Sequence, residues 1–145
     1  MSEPIVEIRE LRKSFLSGEN RITPLDGIHL DIAEGEFLAI MGPSGSGKTT
    51  LMNIIAGIDR PSSGIVRVAG VSLTQLSDAK MARWRNRNVG YIFQQFNLMP
   101  VLSAQENVEL PLMLTPLSGK LRRRQAVTAL TAVGLEDRLH HYPRQ

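Results

Sequence analysis

The chain has 145 residues, 42% hydrophobic and 21% charged, which suits one soluble globular domain with a real core and excludes disorder, collagen and coiled coil. Its net charge of +3 is too small and too scattered to argue for a nucleic-acid partner, and the absence of cysteine excludes disulfides and thiolate metal sites and fits a reducing cytosol. It has no apolar run of the roughly 18 residues a membrane span needs, and Met1-Ser2-Glu3-Pro4 carries neither the basic leader nor the apolar stretch of a secretory signal.

The first third reads as strands. Val6 and Ile8 alternate with Glu7 and Arg9, and Ile28, Leu30 and Ile32 alternate with His29 and Asp31, the pattern of an antiparallel sheet with one wet face. Phe37-Leu38-Ala39-Ile40-Met41 is apolar throughout, which predicts a strand covered on both faces. A glycine-rich loop follows over 42–47, then a helix over 48–56 that Gly57 closes. Pro61-Ser62-Ser63-Gly64 should turn the chain into a strand over 65–71, and another is expected over 89–93. Between them, Trp84 with Arg83, Arg85 and Arg87 reads as part of a surface helix rather than a nucleic-acid face.

Helical signals dominate thereafter. Ser103 and Glu106 have the spacing of a capping box, and Pro111 should kink or end the helix they open. Ser118 can cap a further helix to Val133, with Leu121, Ala126, Ala129, Leu130 and Val133 as its apolar stripe and Gly134 as its stop. Lys120, Arg122, Arg123 and Arg124 read as a solvated face of that helix. Met99 and Met113 fit either core or a surface for a partner helix, and His140-His141 reads as a surface pair.

One motif carries the chemistry. Gly42-Pro43-Ser44-Gly45-Ser46-Gly47-Lys48-Thr49 fits G-x-x-x-x-G-K-[ST] at every fixed position, between a predicted buried strand and a predicted helix. The glycines let the backbone curl so that N–H groups point at phosphate oxygens, and the helix adds unpaired donors and the positive end of its dipole. Lys48 supplies a charge for the β- and γ-phosphates, the Thr49 hydroxyl is placed for Mg²⁺, and Thr50 can add a hydroxyl near the α-phosphate. The motif alone implies a nucleoside triphosphate and no particular family.

Three longer stretches give the chain a family resemblance. The first is the loop extended through Thr50-Leu51, with Ile54-Ile55-Ala56-Gly57 after it. The second is Val89-Gly90-Tyr91-Ile92-Phe93-Gln94-Gln95-Phe96-Asn97-Leu98, and the third is Glu106-Asn107-Val108-Glu109-Leu110-Pro111-Leu112. Together they resemble ATP-binding subunits of ABC transporters, in particular the group serving lipoprotein release and macrolide export. The resemblance implies an α/β fold: a P-loop NTPase core of the ABC type with an N-terminal antiparallel β subdomain over 1–95, and the start of a helical subdomain over 96–145. It implies ATP rather than GTP, with Mg²⁺, and a Q-loop glutamine at Gln94, or at Gln95 one residue along, that contacts the metal and the attacking water. Phe15 matches the aromatic that stacks on adenine, although the family more often has tyrosine there; the ring face that stacking needs is kept.

The implied partners are transmembrane permease subunits and a second nucleotide-binding subunit, at the cytoplasmic face of the inner membrane. Family members also need a signature Leu-Ser-Gly-Gly-Gln, an aspartate-glutamate pair ending an apolar strand, and a switch histidine, none of which stands in these 145 residues. Leu30-Asp31 and Leu135-Glu136-Asp137 lack the buried strand such an aspartate requires, and Tyr142-Pro143-Arg144-Gln145 resembles the residues just ahead of the signature. The expectation is therefore the front part of such a subunit, inactive in hydrolysis alone and marginally stable or self-associating. Rival readings are a nucleotide-binding module without turnover, a P-loop kinase of small metabolites, and an interaction protein with a vestigial loop.

Overall fold

The computed structural model describes residues 3–18 and 20–145, which form two compact units, one ending at Tyr91 and one running from Ile92 to Gln145. In the first unit, β1 (Val6–Ser17), β2 (Asn20–Ile32), β3 (Ser63–Val68) and β4 (Val71–Ser72) form an antiparallel sheet in the order β2-β1-β3-β4. The alternation read from Val6, Ile8 and Leu30 is reflected in the register, with Val6 opposite Ile32 and Ile8 opposite Leu30.

That register is broken by bulges. Arg9 and Glu10 stand against His29 alone, and Glu10 takes a left-handed backbone. Farther along, Thr23 and Pro24 of β2 stand against Ser14 alone, which re-aims β2 beside the glycine-rich loop. Gly64 occupies another irregularity, between β1 and β3. Its φ is +98°, and a Cβ there would come within 2.4 Å of the Glu10 carbonyl oxygen.

Helix α1 (Lys48–Ile55) lays Leu51 and Ile54 on the sheet, against Ile8, Leu11, Leu25 and Val66. Helix α2 (Asp78–Asn88) closes this core with Met81 and Trp84, so Trp84 is only 7% exposed, contrary to the surface role expected for its segment. Two of the flanking arginines, Arg83 and Arg87, do face solvent; Arg85 donates instead to the Gly57 carbonyl at 2.7 Å, a cation on the C-terminal end of α1. Gly57, at φ +65°, lies against Met81 and Trp84, and a Cβ there would come within 2.7 Å of the Met81 sulfur.

Three strand expectations are corrected. Residues 37–41 form no strand, and Phe37 and Met41 are 96% and 89% exposed. Residues 89–93 form none either, with Ile92 94% exposed. A strand is defined by its neighbours, and no other described strand pairs with either stretch. The strand expected over 65–71 divides into β3 and β4 because Ala69 and Gly70, both at positive φ, turn the chain between them.

The second unit is a pair of helices, α3 (Ala104–Leu112) and α4 (Gly119–Ala132), followed by a short 3₁₀ turn at Glu136–Arg138. Pro111 sits in the last turn of α3, which ends one residue later. Of the stripe expected on α4, Ala126 and Leu130 are buried whereas Leu121, Ala129 and Val133 are exposed, a narrower contact than the sequence pattern implies. Met99 and Met113 are exposed, so neither is core. Among the described residues, no helix is long and apolar enough to cross a membrane.

The capping box forms as expected. The Ser103 amide donates to Glu106 Oε2 at 2.8 Å and the Glu106 amide to Ser103 Oγ at 3.3 Å. The Ser103 amide, and then its hydroxyl, hold the Glu106 carboxyl below its ordinary value of 4.5. A carboxylate whose pKa is lowered by folding contributes stability above the ordinary value and loses it as pH falls through the folded one. Ser103→Ala removes the cap hydroxyl, which accepts from the Glu106 amide, and loss of such a cap should cost about 1 kcal/mol at neutral pH. The deficit should shrink as pH falls below 4.5, read from urea midpoints followed by helical circular dichroism.

Candidate nucleotide-binding site

The loop over 42–47 leads directly into α1. Gly47 is the helix N-cap at φ +87°, and no side chain caps the helix there. A Cβ on Gly47 would stand 2.7 Å from the Pro24 carbonyl oxygen and 3.0 Å from Leu25 Cδ2, so the bulged part of β2 packs under the loop and only glycine fits. On Gly45, by contrast, a Cβ would meet nothing within 4 Å, so the loop is open on that side. The Leu51 amide donates to the Gly47 carbonyl at 2.9 Å and begins the helical ladder.

Lys48 folds back over this loop. Its Nζ donates to the carbonyls of Gly42 and Pro43 at 2.8 and 2.6 Å, and lies 3.3 Å from Ser46 Oγ. The ammonium is thus held at the mouth of the loop by acceptors that a more anionic oxygen could replace. The first turn of α1 contains no acidic residue, so the positive end of its dipole is not neutralised there. Thr49 is exposed and Thr50 half-buried at the same helix start, while Pro43, Ser44 and Ser46 are exposed in the loop. Uncapped donors, a local cation and open space together fit a polyphosphate, with Thr49 offering one hydroxyl to a metal that phosphate oxygens would largely hold.

Gly42 to Thr50 therefore come together in one loop and helix start. Phe15 lies elsewhere in the same unit, on β1 opposite Ile22; the residue is 41% exposed and Lys13 Nζ sits 4.8 Å from its ring centroid. Lys13 is itself fixed by Asp59 Oδ1 and the Arg60 carbonyl, both at 2.7 Å. Gln94 and Gln95 stand exposed at a bend in the second unit.

Other acidic and imidazole groups are accounted for differently. Asp31 accepts two bonds from Arg9, at 2.6 and 2.9 Å, and the first effect of that pairing is a lowered Asp31 pKa. Glu136 and Asp137 lie in the 3₁₀ turn. His140 and His141 are exposed, and no group of three His, Cys, Asp or Glu able to hold a metal occurs among the described residues.

Sequence reasoning missed the supporting contacts. Pro24 and Leu25 back Gly47 from β2, and Tyr91 Oη donates to Asn53 Oδ1 at 2.6 Å, tying the segment after α2 to α1. Neither pairing has a local signal, since the partners are more than twenty residues apart in the chain.

Residues 25–145 match the family described as ABC transporter. The chain belongs to that family. It is 44% identical over 141 residues to the ABC transporter ATP-binding protein YknY of Bacillus subtilis, a protein described as uncharacterized, covering 97% of this chain and 61% of that one. Against the macrolide export ATP-binding/permease protein MacB of Escherichia coli K12 it is 42% identical over 142 residues, 98% of this chain and 22% of MacB.

A solved structure, the dimeric post-hydrolysis state of the ATP-binding cassette MJ0796 bound to ADP and Pi, superimposes with a TM-score of 0.88. Sequence identity there is 42%, and the match covers 97% of this chain and 62% of that one; MJ0796 is from Methanocaldococcus jannaschii. The fold is that of the N-terminal part of an ABC ATPase cassette, and the chain spans about three-fifths of the first curated relatives it matches.

Proposed function

We propose that this ABC-family chain binds Mg-ATP through the loop from Gly42 to Thr50 and belongs to the ATP-binding subunit of a transporter. The observation that carries the reading is the uncapped start of α1 behind Gly47, with the Lys48 ammonium held over the loop by two carbonyl oxygens and the Ser46 hydroxyl. Loop amides and Lys48 take the β- and γ-phosphates, Lys48 exchanging carbonyl acceptors for phosphate oxygens. Thr49 is the ligand the loop offers to the metal, and Gln94, or Gln95 one residue along, is the glutamine that the family resemblance assigns to the metal and the attacking water. Magnesium, when bound, neutralises phosphate charge. Phe15 stacks on adenine with the ring face that Lys13 leaves open.

Turnover needs groups beyond these: a general base for the attacking water and donors for the developing γ-phosphate charge. The 145 residues supply Lys48 and Gln94 toward that chemistry but no aspartate-glutamate strand, signature or switch histidine. The full activity we propose is ATP hydrolysis by a dimer of such subunits bound to membrane permeases on the cytoplasmic face, driving export or lipoprotein release. The similarity to MacB over nearly the whole chain supports export over import. The second reading, a module that binds nucleotide without turnover, is favoured for these residues alone by the missing base.

The two are separated by assaying this chain for ATP binding and phosphate release together. Binding with no release above the protein-free rate is the expected result. Release at an ordinary enzymatic rate would overturn the assignment of the missing groups, and an absence of binding would overturn the site.

A further inference from the structure

The tip of the α3–α4 pair combines charge and apolar surface in a way the nucleotide site does not use. Between Leu110 and Leu135 the chain carries Lys120, Arg122, Arg123 and Arg124 and no acidic residue. Three of these cations, Lys120, Arg123 and Arg124, line a shallow concavity of about 620 Å³ with Gly119 and Val127. They occupy the first turns of α4, where the helix dipole is already positive and no acidic residue offsets it, an arrangement that disfavours the helix itself. Neutralisation inside the unit is slight: Glu109 is 3.8 Å from Arg123 and already accepts from Gln105 Nε2 at 2.6 Å. Arg122 differs, since it donates to the Leu117 carbonyl at 2.6 Å and braces the loop.

In the segment joining α3 to α4, ahead of these cations in the chain, Met113 and Leu114 are 62% and 71% exposed, and Leu110 and Leu121 are exposed as well. Cations beside unburied apolar side chains at one tip match a bilayer surface, where anionic headgroups meet the basic groups and the apolar ones enter the boundary below. We propose that this tip docks on the acidic-lipid surface of a membrane, with Lys120, Arg123 and Arg124 on the headgroups and Met113 and Leu114 at the acyl boundary. The proposal rests on the transporter reading only for the presence of a membrane nearby. A nucleic-acid backbone would satisfy the cations but leave the apolar residues in water, so lipid is the better complement.

The test is flotation of this chain with vesicles of pure phosphatidylcholine or of phosphatidylcholine with 30% phosphatidylglycerol, a composition of about one-third anionic lipid. The chain should float with the anionic vesicles and be released by raising salt from about 0.05 to about 0.5 M. Replacing Lys120, Arg123 and Arg124 with glutamine should weaken partitioning about fivefold per cation, roughly a hundredfold together. Helix content should be kept, because Arg122 and Ser118 are untouched. Met113→Gln should weaken binding severalfold without changing its salt dependence.

ATP binding by the triple variant should equal that of the unaltered chain, so failure here and failure of the nucleotide site are read separately. Equal flotation with neutral vesicles, undiminished flotation of the triple variant, or displacement from anionic vesicles by duplex DNA at equal phosphate concentration would each overturn the proposal.

Discussion

Lys48→Ala should weaken Mg-ATP binding by roughly a hundredfold while leaving the fold intact, since a charged hydrogen bond to phosphate is worth about 1.5–3 kcal/mol. The Lys48 side chain takes no part in the core; its amine meets two loop carbonyls and a serine hydroxyl. Alanine at the first helical position also favours the helix, so the urea midpoint should move little. Calorimetric titration alongside a urea melt checks both halves. Unchanged affinity would show that the ammonium does not meet the phosphates, and a large loss of stability would show that it is structural.

Gly47→Ala should damage stability and binding together. At φ +87° a side chain is strained, and its Cβ would lie 2.7 Å from a backbone oxygen of β2, which cannot swing aside as a flexible side chain would. The expected loss is about 2–4 kcal/mol, with ATP affinity falling because the loop must lift off Pro24 and Leu25. The contrast with Lys48→Ala separates the two contributions: one residue supplies charge, the other lets the backbone reach its shape. A Gly47→Ala chain of unchanged melting midpoint would mean that β2 does not back the loop.

What the sequence made legible was local. The glycine-rich loop and α1 follow from glycine spacing and a run of helix formers, and the α3 start follows from Ser103 and Glu106 three residues apart. The alternation through Val6, Ile8 and Leu30 located β1 and β2 because half-exposed strands carry their own period.

What failed depended on distant partners. Residues 37–41 and 89–93 have strand-like composition, yet a ladder needs a neighbour and they find none among the described strands. Trp84 sits between arginines and reads as surface, but the helical face it shares with Met81 packs on Gly57 and carries it into the core. The bulge that puts Pro24 under Gly47 arises from a register slip between strands, which no short window of sequence contains.

If the loop and the start of α1 recognise phosphates, affinity should follow the phosphate chain, which titrating this chain with ATP, ADP, AMP and adenosine in the presence of Mg²⁺ measures. ATP and ADP should bind comparably, AMP far more weakly, and adenosine little or not at all. Adenosine binding as tightly as ATP would contradict phosphate recognition, because the affinity would then come from the base and not from the amides and Lys48.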